Sequence, residues 1–286
     1  MSDTIYIVGS NFHTGTTSFS YDAPSCDDTV LHLQSDTWDK SGNYNNTVTN
    51  NVVYSNDNKL FSFGSLKFAG DASLIVDDAD ETFDWIHDKT IDRWTIETWF
   101  RLEDSVTGVM PMFGTSDSSH DTGFRMVCDN GRLVFLIDRG TPGVHSFRTV
   151  INKRIKRNRW YHVAVVRTGE TIQTWLDGVK ETDSVWYNSA DTFNTSNRLT
   201  IGRTLDNTTP SYMNGDIQDF RIVKNHANYD SNNFEILELH KPCVDVCMYV
   251  WLDYINWDDS LRWCDECVSN WIDKMFWNDD LTWCDE

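Results

Sequence analysis

The sequence predicts an all-β protein: one antiparallel sandwich, flanked by an N-terminal arm and a small C-terminal tail. Three observations carry this. Short apolar runs recur between residues 26 and 240, and in Trp94-Thr95-Ile96-Glu97-Thr98-Trp99-Phe100 bulky and polar side chains alternate, as on a strand with one buried face. Turn formers separate the runs, at Asp129-Asn130-Gly131, Thr168-Gly169-Glu170, Asp177-Gly178 and Asn214-Gly215. No long helical periodicity intervenes, and many short strands with regular turns build a sandwich or barrel.

Residues 1–25 hold one apolar run, Ile5-Tyr6-Ile7-Val8, and are otherwise dominated by Ser, Thr, Gly and Asn. They read as a short strand followed by an extended arm, of the kind that docks on a neighbour or simply frays. Residues 26–240 form the sandwich. Within Trp160-Tyr161-His162-Val163-Ala164-Val165-Val166, one face takes Tyr161, Val163 and Val165 and the other His162, Ala164 and Val166. A strand apolar on both faces belongs in the middle of a sheet. Residues 241–286 contain a period-20 repeat, CMYVWLDYINWDDSLRWCDE at 247–266 and CVSNWIDKMFWNDDLTWCDE at 267–286. Trp257, Leu261 and Cys264 share a helical face, as do Trp277, Leu281 and Cys284, so the repeats read as two small helical units.

Composition narrows the function. The 286 residues are 40% hydrophobic, enough for a core, and carry a net charge of -20. Such acidity disfavours duplex nucleic acid and anionic membranes. No run approaches the ~20 apolar residues that span a bilayer, so membrane insertion is not expected. No Lys or Arg precedes Lys40 and no apolar stretch follows the N-terminus, so no signal peptide is expected and the chain reads as a cytosolic product.

Five segments together resemble one family. Asn158-Arg159-Trp160-Tyr161-His162-Val163-Ala164-Val165-Val166-Arg167 followed by Trp175-Leu176-Asp177-Gly178-Val179 is similar to the hairpin of laminin-G-like jelly rolls, and Trp94–Arg101 is similar to their central strand. Gly123–Met126 with Gly131–Phe135, Leu199–Arg203, and Asn214–Ile222 resemble further strands, in the family's order. The resemblance covers about residues 28–235 and implies the concanavalin A-like lectin/glucanase jelly roll, a scaffold that hosts both binding modules and glycoside hydrolases.

Hydrolysis by retention needs two carboxylates about 5 Å apart. No Glu-x-Asp-x-Glu run supplies them on alternate strand positions, Glu97 is alone on its strand, and no nucleophile elbow, His-Glu-x-x-His or Walker loop is present. The expectation is therefore a non-enzyme. Candidate ligand loops are 116–121, 186–197 and 205–214, carrying Asp117, Asp121, Trp186, Tyr187, Asp206, Asn207 and Tyr212. Aromatic faces stack on sugars and carboxylates or amides bond their hydroxyls; the same carboxylates suit Ca²⁺, as in some relatives. In the tail, Cys243, Cys247, Cys264 and Cys267 have the spacing of a Cys₄ zinc site, while the repeat equally allows disulfides or reduced, packed thiols.

One stretch is sharply basic: Lys153, Arg154, Lys156, Arg157 and Arg159. It fits docking of an acidic tail, an acidic glycan, or plain solvation. In the tail, Trp251, Trp257, Trp263, Trp271, Trp277 and Trp283 suit a buried contact with a partner. A jelly roll followed by Trp- and Cys-bearing repeats also resembles structural proteins of tailed bacteriophages. That implies a virion fibre, appendage or head decoration, assembled in the host cytoplasm. Its arm and tail would bind other virion proteins or further copies, and its sandwich would bind a host glycan. The alternatives are a pure assembly protein without a glycan and, last, a glycoside hydrolase.

Overall fold

In the computed structural model of the protein, the described residues are 28–43, 45, 47–61, 64–76, 83–87, 91–103, 108–116, 122–138, 145–186, 198–203, 211–229 and 234. The arm and the tail repeats, with their Trp and Cys residues, lie outside them.

The segment apolar on both faces takes a central place. Strand β11 (Trp160–Thr168) pairs with β6 (Arg93–Leu102) on one side and β12 (Thr171–Leu176) on the other. The first sheet runs β13 (Val179–Val185), β12, β11, β6, β15 (Asn214–Lys224), β4 (Ser65–Ala69), β3 (Val53–Ser55), with β1 (Thr29–Leu33) also on β15. The second runs β10 (His145–Val150), β9 (Arg132–Asp138), β8 (Gly123–Asp129), β7 (Val109–Gly114), β14 (Leu199–Ile201), β5 (Ser73–Val76), β2 (Thr47–Asn50). Every pairing is antiparallel. Two antiparallel sheets packed face to face make the predicted all-β sandwich.

Period-two patterning fills the space between them. Ile96, Phe100 and Leu102 of β6 and Tyr161, Val163 and Val165 of β11 meet Met126, Phe135 and Ile137 of the second sheet in one buried cluster. Each such side chain contributes about 1.5–3 kcal/mol on burial. Cys128 lies in the same layer as a free thiol, and burial pushes it up to about 12. At pH 8 only about one molecule in 10⁴ then carries the thiolate that reacts. Iodoacetamide should leave the Cys128 peptide of the native full chain unmodified and label it in denaturant. Labelling of the native chain at Cys128 would mean that the inner layer opens.

The turns follow the sequence with one exception. Asn130-Gly131 and Asp177-Gly178 have φ of 48°, 79°, 50° and 72°, the pair of positive angles a two-residue hairpin requires. Asn214-Gly215, read above as a turn, instead opens β15. A Cβ on Gly215 would lie 2.1 Å from the Arg101 carbonyl oxygen, so this glycine serves close backbone approach within a strand. Further along β15, Asp219 (φ 57°) forms a bulge where pairing with β6 slips. The bulge lets Asp219 hold His32 of β1 through Nε2 at 2.7 Å, with both side chains fully buried.

Candidate functional site

The outer face of the first sheet, a natural ligand surface in a sandwich, is covered by the chain itself. Alternation along β6 points Thr95, Glu97, Trp99 and Arg101 outward, away from the core. Over them lies residues 225–229 with Phe234. Tyr229 and Phe234 stack at 3.7 Å and pack on Ala164, Val166 and Trp175. The Phe234 amide donates to the Gly178 carbonyl at 2.9 Å, and the Asn228 amide to Thr95 Oγ1 at 2.9 Å. A second cover comes from Leu60, Phe61 and Gly64. Gln218 accepts from the Leu60 amide at 3.2 Å and donates to the Gly64 carbonyl at 2.9 Å, while Phe61 meets Trp99 edge-on at 5.4 Å.

Glu97 is the centre of the first cover, and nothing in its local sequence points to its partners. It is fully buried. Its Oε1 accepts from Arg221 Nε at 3.0 Å, Arg221 Nη2 at 2.6 Å and Asn228 Nδ2 at 2.7 Å; its Oε2 accepts from the Tyr229 hydroxyl at 2.5 Å. His162 Nε2 stands 3.5 Å from Oε2, with its ring between Trp99 and Phe234. A carboxylate engaged on both oxygens and shut from solvent is a structural anchor rather than an acid or base. The available signal was a carboxylate on a strand whose neighbours are apolar on both faces; its partners, more than 120 residues away in sequence, could not be read.

The structure divides the predicted loops between the two ends of the sandwich. At one end, the Gly169 amide donates to Asp92, the Trp186 amide to Glu170, and Ser116 Oγ to Asp138 Oδ2 at 2.7 Å. The flanks of 117–121 and of 187–197 lie here. Asp117, Asp121 and Tyr187 fall outside the described residues. Trp186 does not sit on a rim: it is 1% exposed, in the core, with the Arg167 guanidinium 4.8 Å over its ring. The large apolar ring follows β13 back into the layer between the sheets, and no face is left for a sugar.

At the opposite end lie Tyr212 and the basic loop. Half-buried Tyr212 bridges to Arg203, and the Met213 amide donates to Gly202 at 2.7 Å; Asp206 and Asn207, between these flanks, are outside the described residues. The loop after β10 is fixed along its backbone. Ile151 is buried and Ile155 packs on the core, while the Ile155 and Asn158 amides donate to Gly131 at 2.9 Å and Leu102 at 2.7 Å. The Lys156 amide donates to the Tyr161 hydroxyl at 2.9 Å. With the apolar residues turned in, Lys153, Arg154, Lys156, Arg157 and Arg159 are all exposed. Asp177 pairs with Lys153 at 3.6 Å and Arg159 at 3.4 Å, and the Arg159 guanidinium lies 4.9 Å over Tyr161. Among the described residues, Lys156 and Arg157 form no ion pair.

Beside the loop a second set of charges neutralises itself. Arg101 donates to Asn158 Oδ1 at 2.7 Å and pairs with Asp216 at 2.7 Å, and Lys67 bonds Glu103. The hydrogen bond from Lys67 holds the Glu103 carboxyl below its ordinary value, while burial pushes Asp216 up against the pull of Arg101. Among the described residues no group of three or more His, Cys, Asp or Glu side chains is arranged to hold a metal. No helix among them is long and apolar enough to cross a membrane.

A family model described as the concanavalin A-like lectin/glucanases superfamily matches residues 69–228. No curated protein matches the sequence. Solved structures do, at low identity. The binding domain of botulinum neurotoxin serotype D aligns with TM-score 0.54 and 14% identity, over 71% of this chain and 50% of that one. A botulinum neurotoxin type C structure, described as depending on two ganglioside molecules for cell entry, aligns with TM-score 0.53 and 17% identity, over 71% and 49%. The binding domain of neurotoxin DC in complex with rat synaptotagmin II gives TM-score 0.53 and 17% identity, over 71% and 49%. The chain thus spans about half the length of these structures, and the likeness is one of fold.

Proposed function

The chain belongs to the concanavalin A-like lectin/glucanase superfamily, and on that premise we propose that it is a non-enzymatic binding module that captures an anionic glycan at the end bearing the basic loop. The observation that carries this is the loop itself. Five exposed cations stand on a backbone pinned to the core, with no acidic residue between Ile151 and Arg159, in a chain of net charge -20. The pinning lowers the ordering cost of binding, and among the described residues no acid pairs with Lys156 or Arg157. Half-buried Tyr212, at the same end, offers an aromatic edge for a sugar ring. The engaged state of Glu97 supports the non-enzymatic reading. The ganglioside dependence of the neurotoxin type C structure shows one use of this fold that agrees with a glycan ligand.

We place the protein on a virion surface, with the arm and the repeat tail as attachment pieces and the sandwich outward. The support is the resemblance of a jelly roll followed by Trp- and Cys-bearing repeats to structural proteins of tailed phages. Mass spectrometry of purified particles tests that placement, and absence of the chain from them would remove it.

The glycan reading is tested on an array of sialylated, sulfated and neutral glycans, read at low and at high salt. Binding confined to the anionic glycans is expected, weakening several-fold as salt shortens the screening length to about 3 Å at 1 M. The double variant Lys156→Glu/Arg157→Glu should weaken it about tenfold or more at low salt. Equal retention of neutral glycans, or none of any kind, overturns the reading and leaves an assembly protein whose partner is another protein.

A further inference from the structure

The two sides of the sandwich are closed differently. On one side the edge strands β10 and β13 of the two sheets meet. Thr149 Oγ1 bonds Thr182 Oγ1 at 2.9 Å, and Thr182 lies 2.6 Å from Thr174 Oγ1. These edges also carry charge, Arg148 on β10 and Lys180, Glu181 and Asp183 on β13. Charged edge residues keep a foreign strand from adding.

Among the described residues the other side has neither device. Its edge strands are β2, Thr-Val-Thr-Asn, and β3, Val-Tyr-Ser, with no charge and no proline. Of the eight large apolar side chains exposed among the described residues, five stand here: Trp38 62%, Val48 46%, Val53 59%, Tyr54 51% and Leu60 39%. Local bonds hold them to this side. Thr47 Oγ1 donates to the Thr37 carbonyl at 2.6 Å, and the Tyr54 hydroxyl accepts from the Gly64 amide at 3.0 Å.

Charge selects the occupant. Residues 34–60 contain three acidic and two basic residues, a net of -1, in a chain of -20. Asp39 is buried, so two acids, Asp36 and Asp57, balance two bases, Lys40 and Lys59. Exposed Asp71, bonded to Asn51 Nδ2 at 3.2 Å, adds one acid beside the edge, so two copies of so acidic a chain repel over most of their surfaces and far less here.

We propose that the β2–β3 edge is a self-association surface, whose occupant is the same edge of a second copy in a two-fold, antiparallel arrangement. Such a contact is self-complementary, so the acids of one copy face the bases of the other. The open N–H and C=O groups of the short edge strands pair across the axis, and Val48, Val53, Tyr54 and Trp38 leave water. The Lys153–Arg159 loop joins β10 to β11, toward the opposite side, and stays free in the dimer. This proposal does not depend on the glycan reading.

The test is light scattering of the full chain across a concentration series. Wild type is expected to be a dimer. Val48→Lys/Val53→Lys, which sets like charges against each other, is expected to raise the dissociation constant about a hundredfold or more, with unchanged thermal unfolding. Trp38→Ser, on an exposed loop, should weaken the dimer in the same direction and carries the test if the lysine pair unfolds. Val179→Lys/Val185→Lys on the charged edge should leave it intact. A monomeric wild type, a dimer indifferent to both edge variants, or association lost only on removal of residues 242–286 overturns the proposal.

Discussion

Replacing Arg221 with Met is expected to cost about 3–5 kcal/mol of unfolding free energy, since it leaves a buried carboxylate without its cation. Glu97 is fully buried and Arg221 donates to its Oε1 from Nε at 3.0 Å and from Nη2 at 2.6 Å. Domains are stable by about 5–15 kcal/mol, so the variant approaches the threshold of folding. Urea denaturation measures the loss. The informative partner is the double variant Glu97→Leu/Arg221→Met, which removes both charges and should recover most of the lost stability. A single variant that loses under about 1 kcal/mol would mean that water reaches Glu97 under the residue 225–229 cover.

Gly215→Ala should be nearly as damaging, by about 3 kcal/mol or more, through a different cause. The new methyl would meet the Arg101 carbonyl oxygen at 2.1 Å and the Leu102 Cα at 3.1 Å. Both are backbone atoms of the neighbouring strand, so no rotamer change relieves the clash. Gly169→Ala is the matched control. Its φ is +60° and nothing lies within 4 Å of the added carbon, so only the left-handed backbone is penalised, by about 1–2 kcal/mol. Equal losses in the two variants would show that β15 and β6 can part at Gly215 without cost.

Much of the sandwich was legible because its signals are local. The alternation in Trp94–Phe100, the two-faced run at Trp160–Val166 and the Asn-Gly and Asp-Gly turns each act within a few residues, and they became β6, β11 and the β8–β9 and β12–β13 hairpins. Asn214-Gly215 misled because the same dipeptide serves a turn or a close strand contact, and only the neighbouring backbone decides. Trp186 misled because its loop position says nothing of the direction its ring takes. The Glu97 network was illegible for a related reason: Arg221, Asn228 and Tyr229 reach it through pairings that no spacing encodes. The basic loop stood out as a charge run, but its exposure depended on Ile151 and Ile155 turning inward.

The strand order also sets a timetable for folding. In the first sheet β15 lies between β6 and β4, and in the second β14 lies between β7 and β5. These are the last two strands of the described chain to leave a ribosome, and they alone join β2 through β5 to the rest. Until both emerge, the nascent chain holds fragments of sheet whose apolar faces wait for each other. Folding is therefore deferred until after about residue 224 is made, and it proceeds through long-range closure, which is slow. Throughout that delay the bare edges invite wrong partners, and the yield of soluble protein should depend on synthesis rate and chaperone supply more than on final stability.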